Sequence, residues 1–233
     1  MPGLVSSYLP MYLAGSLIGI WITLISMMMS IGIGLLGALG RLSKGGLVRS
    51  VVAAYVAVFR GIPPLVLLYV VYFGLPTWAQ DLGIRPLADF LAPLNNRIFA
   101  AVIAFGINSG AYSTEYIRAA IQSIHVEQME AAQSLGMSYW LAMRRIILPQ
   151  AARVAFPPLG NEFITVLKGT SLASVIGVTE LMRDAQLAAA ATFQNLAAYS
   201  LAAIFYVVMV VILQSIVSFV ERRLTLVHTT SPS

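Results

Sequence analysis

Asn108, Tyr112 and Glu115 stand four and then three residues apart, the steps that line side chains along one face of a helix. They lie in a predominantly apolar run, from about Ile98 to Ile121, with Ser109 beside them. An amide, a phenol and a carboxylate on one stripe can hydrogen-bond a polar solute or meet a cationic one. An ionisable group inside an apolar run normally faces a cavity or a partner. The competing partner for Glu115 is Arg118, three residues on, in a structural pair near the membrane surface. A second polar group, Asn161, Glu162 and Thr165, lies within Ala151–Leu167 and could line the same path. No catalytic triad spacing is present. The chain has no cysteine, and its two histidines, His125 and His228, are far apart in sequence, so Cys-based metal sites and a disulfide scaffold are excluded. Lys168-Gly169-Thr170-Ser171 lacks the preceding spacing of a phosphate loop.

The elements that must hold these groups are apolar. Of 233 residues, 59% are hydrophobic and only 10% charged, where a soluble chain carries about a quarter charged residues. The net charge of +5 comes from bases at the ends of apolar runs, which membrane topology explains; it is not a nucleic-acid footprint. Met1 to Gly40 contains no charge, lacks the basic start of a signal peptide and is longer than a signal core. It predicts a first span at about Tyr12–Leu39, after an external segment 1–11. Ser26, Ser30, Gly34 and Ala38 repeat at intervals of four, as Gly15 and Gly19 do; such a stripe either allows close helix contact or reflects ordinary enrichment of small residues in spans. Arg41, Lys44 and Arg49 form a short basic loop. A second span, about Val51–Leu75, contains Arg60-Gly-Ile-Pro63-Pro64, which predicts a bend or break. Gly74 to Asn96 reads as a loop, Ile98–Ile121 as a third span, and Ala151–Leu167 as a fourth, bent or broken by Pro157-Pro158. Ser171–Gly177 reads as a short helix, Glu180–Asp184 as a surface link, and Leu196–Val220 as a fifth span before a polar tail, 226–233.

Between the third and fourth spans lies Glu127–Pro149, EQMEAAQSLGMSYWLAMRRIILP. Read as a helix, its apolar residues Met129, Ala132, Leu135, Tyr139 or Trp140, Met143 and Ile146 or Ile147 share one face. Gly136 costs stability or marks a bend, and Pro149 is the expected stop. By pattern alone this is an interfacial or surface helix. Yet Glu130-Ala131-Ala132, then Gly136, then Ile146-x-Leu148-Pro149 resembles, element by element, the cytoplasmic EAA loop of ABC importer permeases. The wider stretches EAAQSLGMSYW, ILPQAARVAFPPLGNEFI and KGTSLASVIGV are similar to the branch that takes up polar amino acids. Arg60-Gly61-Ile62-Pro63 resembles that family's FRGTP region. The likeness extends over about residues 15–225.

The resemblance implies an all-α integral membrane protein with five transmembrane helices (domain 12–225). A coupling loop at about 122–150 lies between spans 3 and 4. It implies a transport subunit that is not an enzyme and binds no cofactor, with ATP-Mg held by a partner. Implied partners are a second permease, identical or paralogous, two cytoplasmic ABC ATPases, a periplasmic or lipid-anchored binding protein, and the bilayer, but no nucleic acid. Glu130, Ala131, Ala132, Gly136, Met137, Trp140, Arg144, Arg145 and Pro149 would engage the ATPase. Asn108, Ser109, Tyr112, Glu115, Asn161, Glu162 and Thr165 would contact substrate or line the path. The cargo would be a polar or basic amino acid, crossing a bacterial inner membrane by alternating access. With the N-terminus outside and the C-terminus in the cytoplasm, the inside segments hold Arg41, Lys44, Arg49, Arg118, Arg144, Arg145, Arg153, Arg222 and Arg223. The outside ones hold Arg85, Arg97 and Arg183, with Arg60 and Lys168 left aside as intramembrane or boundary residues. A secondary transporter would need an internal repeat, and none is evident. A channel or scaffold would need no EAA-like spacing.

Overall fold

The computed structural model describes residues 2–225; the expected tail at 226–233, with His228, lies outside them. The fold is all-α. Helix α1 (Pro2–Leu42) is followed by α2 (Gly46–Gly61), α3 (Pro64–Tyr69) and, through a π turn at Val70–Gly74, α4 (Leu75–Asp81). Next come α5 (Arg85–Leu91), a 3₁₀ turn at Ala92–Asn95 and α6 (Arg97–Gln122). The segment between α6 and α9 holds α7 (Val126–Ser134), α8 (Tyr139–Ala142) and a π turn at Met143–Ile147. Then follow α9 (Leu148–Gly169), a 3₁₀ stretch at Thr170–Ile176, α10 (Leu181–Thr192) and α11 (Asn195–Thr225).

Two helical segments, Tyr8–Leu42 and Asn195–Leu224, are long and apolar enough to cross a membrane. Three further pairs reach that length as bent units: Gly46–Gly61 with Pro64–Asp81, bent by 104°; Arg85–Asn95 with Arg97–Gln122, by 97°; and Tyr139–Ile176 with Leu181–Thr192, by 49°. Large apolar side chains such as Trp21, Met28, Leu36, Ile204 and Val207 point outward, as a hydrocarbon solvent allows.

α1 packs along α6, and the small-residue stripe is the reason. Ser26, Ser30 and Ala38 are fully buried. A Cβ on Gly34 would come 2.6 Å from that of Ser113, and one on Gly37 would collide with Thr114. Ser30 hydrogen-bonds Ser109 at 3.0 Å and Ser113 at 2.8 Å, and Ser26 donates to the Val102 carbonyl at 3.3 Å. The stripe is therefore a helix–helix contact of the small-residue kind.

Several expectations are corrected. The stretch 74–96 is mostly helical, because Pro76, Pro86 and Pro93 each fall in a first turn, where the missing N–H costs nothing. Pro149 does not stop a helix; it sits in the first turn of α9. Pro157 and Pro158 lie inside α9 without ending it. The link Glu180–Asp184 is not on the surface: Glu180 and Asp184 are 0% and 1% exposed. Glu180 caps α10, accepting from the amides of Met182 at 2.9 Å and Arg183 at 2.8 Å, and from the Tyr206 hydroxyl at 3.0 Å. Asp184 lies so close to Gly15 that a Cβ there would strike its carboxylate.

Candidate functional site

Pro63 and Pro64 have no N–H, so the carbonyls of Phe59 and Arg60 lose the donors that a continuing helix would supply. α2 ends at Gly61, and α6 repairs the loss. The Asn108 amide donates to the Phe59 carbonyl at 2.7 Å. One helical turn on, the Tyr112 hydroxyl points to the Arg60 carbonyl at 3.4 Å. The Arg60 guanidinium lies over the Tyr112 ring, 4.9 Å from its centre, within cation–π range. The polar face read from the sequence is thus brought against the break in the second apolar segment.

The next residue on that face, Glu115, joins an ion cluster. Its Oε2 accepts from Arg118 Nε at 3.0 Å and Nη2 at 2.6 Å. Its Oε1 lies 3.5 Å from Arg41 Nε, at the end of α1. The local pair was legible from spacing; Arg41 was not, being 74 positions away. On α9, Glu162 is buried and lies near Ser109. Asn161, Thr165 and Lys168 are exposed instead and share one face at helical spacing. Thr165 Oγ1 donates to its own helix at Asn161 O, 3.0 Å away. Asn108 and Tyr112 therefore face the α2 break, Ser109 and Glu162 are buried inside the bundle, and Asn161 and Thr165 face outward from this chain.

The segment after α6 forms an elbow. α7 ends in a Schellman motif: Met137 N donates to Ala132 O at 3.1 Å and Gly136 N to Gln133 O at 2.9 Å. That closure needs a left-handed residue, and Gly136 has φ +83°. Ser138 then caps α8, accepting from Leu141 N at 3.4 Å. Gly136 is therefore a turn between two short helices, not a weak point within one. The apolar face divides there. Met143 and Ile147 pack with Ala38, Ile117 and Ile121, and Met129 lies against the same cluster; Ala132 is buried too. Leu135 and Trp140 remain 81% and 67% exposed, with Tyr139 edge-on to Trp140 at 5.7 Å. Glu130, Ala131, Arg144, Arg145 and Pro149 are also exposed, and Met137 partly so.

Sequence reasoning missed the buried carboxyls Glu180 and Asp184 and the part-buried Tyr206 that bonds Glu180. The only local sign was Glu180 standing where a helix cap would, before Leu181.

Residues 30–226 match the family described as the binding-protein-dependent transport system inner membrane component. The chain is 38% identical over 216 residues to the glutamine transport system permease protein GlnP of Escherichia coli K12, covering 93% of this chain and 94% of that one. It is 38% identical over 219 residues to the L-cystine transport system permease protein TcyB of Bacillus subtilis, covering 94% and 88%. Among solved structures, an amino acid ABC transporter with histidines superposes with a TM-score of 0.82 at 35% identity, covering 94% of this chain and 96% of that one.

Proposed function

The chain belongs to the binding-protein-dependent transport system inner-membrane family, and from that premise we propose that it carries a polar or basic amino acid as one of two permease subunits of an ATP-driven importer. It is a transport subunit and not an enzyme; in this family ATP hydrolysis takes place on a separate ABC ATPase. The relatives named for glutamine and for L-cystine support an amino acid as cargo. Five spans are proposed: α1, the α2–α4 unit, α6, α9 and α11, with the N-terminus outside and the α7–α8 elbow in the cytoplasm.

The elbow is the observation that carries the reading. Its inner side is packed into the bundle through Met143 and Ile147, and its outer side offers Leu135, Tyr139 and Trp140 with Glu130, Arg144 and Arg145 around them. Such an element transmits movement, because a groove on the ATPase that grips the exposed aromatic pair must also drag the ends of α1, α6 and α9. Closure of the two ATPases on ATP-Mg would rock the spans between inward-open and outward-open states. The exposed polar face of α9, with Asn161 and Thr165, would line a path against the second permease. Asn108, Ser109, Tyr112, Glu115 and Glu162 would stand behind it as polar contacts for a zwitterion delivered by the external binding protein.

The test is uptake by proteoliposomes holding the chain, its co-purified ATPase and the binding protein, with labelled glutamine, arginine and histidine outside. Uptake that requires internal ATP and falls at least tenfold in Trp140→Ala is the expected result, about 1.4 kcal/mol of lost coupling. Uptake indifferent to ATP, with no ATPase travelling with the chain, would sink the coupling reading.

A further inference from the structure

α1 ends, and α2 begins, around a polar cavity of about 230 Å³ lined by Arg41, Leu42, Ser43, Arg49, Arg118 and Gln122. Three guanidinium groups converge there, and Glu115 answers two of them, Arg41 and Arg118. The three are not equally engaged. Arg118 is occupied, binding Glu115 through Nε and Nη2 and Gln122 through Nη1. Arg41 faces Glu115 only through Nε at 3.5 Å, and that atom is buried without a hydrogen bond. Arg49 has no acidic partner among the described residues. α2 adds to the imbalance: its start at Gly46 has no side-chain cap and no acidic residue in its first turn, so its free amides carry partial positive charge. The cavity is therefore a cationic recess with unspent donors on Arg41 and Arg49, the fork geometry that fits phosphate oxygens.

The surroundings narrow the source of the anion. The apolar segment Tyr8–Leu42, long enough to cross a membrane, ends at this cavity, which sets it at the depth of headgroups. Beside it Leu47, Val48 and Val51 on α2 are 80%, 50% and 59% exposed. An aliphatic surface next to a guanidinium recess matches a molecule with a phosphate and acyl chains. We propose that the recess between the α1–α2 turn and α6 binds a phosphate group, and that this group is the headgroup phosphate of an anionic lipid. It would tie the ends of α1, α2 and α6 to the membrane surface. The proposal goes beyond the transport reading and needs only that α1 spans the bilayer.

Native mass spectrometry of the full chain in detergent, titrated with phosphatidylglycerol or phosphatidylcholine, tests it. Phosphatidylglycerol is expected to bind more tightly than phosphatidylcholine. Arg49→Gln should weaken phosphatidylglycerol about fivefold, Arg49→Lys should recover part of that loss, and Arg144→Gln with Arg145→Gln should change nothing. Equal affinity in Arg49→Gln and the parent chain overturns the proposal. So does an equal loss in the Arg144/Arg145 variant, which would mean diffuse surface attraction. Displacement of the lipid by millimolar inorganic phosphate keeps the phosphate chemistry but overturns the lipid assignment. If Arg49→Gln spares lipid and instead weakens retention of the ATPase, the recess is a protein contact and the proposal fails. Arg49 is outside the path proposed above, so the readout is separate from uptake.

Discussion

The side-chain amide of Asn108 donates to the main-chain carbonyl of Phe59 at 2.7 Å, and Phe59 lacks its helical donor because Pro63 stands four residues later. A polar residue in the middle of one apolar helix thus closes the broken end of another. This gives Asn108 a structural duty whether or not its free oxygen also meets cargo.

Asn108→Ala is expected to leave a part-buried carbonyl unpaired, at a cost of about 1 to 3 kcal/mol. Pro63→Ala supplies an N–H that reaches the same carbonyl once α2 extends past Ile62, which is extended in the parent chain. The two substitutions should therefore couple, the double variant losing less stability than the sum of the singles. Thermal unfolding of the four proteins in detergent measures the cycle, and strict additivity would show that the hydrogen bond carries no energy.

Gly136→Val tests the elbow. Nothing lies within 4 Å of a Cβ placed there, so any penalty comes from holding a branched residue at φ +83°, about 1 to 3 kcal/mol. The expected outcome is an intact bundle with loss of transport-coupled ATPase stimulation. Unchanged stimulation would mean that the turn is not the transmitting element.

Gly34→Leu should separate α1 from α6, since even a Cβ there comes within 2.9 Å of the Ser113 backbone. Gly32→Leu is the control, because it has open space around it. We expect a large fall in melting temperature for the first and little for the second. Similar behaviour of the two would remove the small-residue seam as an organising contact.

Tyr206→Phe deletes the hydroxyl that reaches Glu180 at 3.0 Å and should loosen α10 from α11 by about 1 kcal/mol, the usual net worth of a hydrogen bond. Hydrogen exchange across Leu181–Thr192 is the readout. Protection there equal to that of the parent chain would contradict the pairing.

Glu115→Gln leaves Arg41 and Arg118 facing each other without a carboxylate. The cluster is partly exposed, with side-chain exposure of 25%, 27% and 17% for Arg41, Arg118 and Glu115, so its worth is discounted by solvent to about 1 kcal/mol. Raising salt should narrow the stability gap between the variant and the parent. A gap that is constant from low to high salt would argue for packing instead of charge.

Much of this protein was legible in the sequence because the signals are local. The apolar runs, the Pro63-Pro64 break, the i, i+4 and i+7 face of α6 and the Gly136 turn each depend on residues within a few positions of one another, which fix helical phase and backbone freedom. The spacing Glu130–Gly136–Pro149 carried the resemblance to a coupling loop, while pattern alone gave one surface helix with a bend or weak point at Gly136. What lay beyond reach was every contact between segments remote in the chain. Spacing set Arg118 beside Glu115, but only packing of α1 on α6 brings Arg41 to the same carboxylate. Likewise Glu180, charged and followed by charges, reads as solvated until α1 and α11 close over it and Tyr206 supplies the hydrogen bond that its burial requires. Nor could pattern say that Glu162 turns inward while Asn161 and Thr165 turn out, since one residue is a rotation of about 100° and the choice of inner face belongs to the neighbouring helices. The sequence by itself determined the long apolar helices and the Pro63-Pro64 break, but not the helices within 74–96; the tertiary structure alone decided which polar groups are partnered, because burial penalises an unpaired polar group and burial is a property of the assembled bundle.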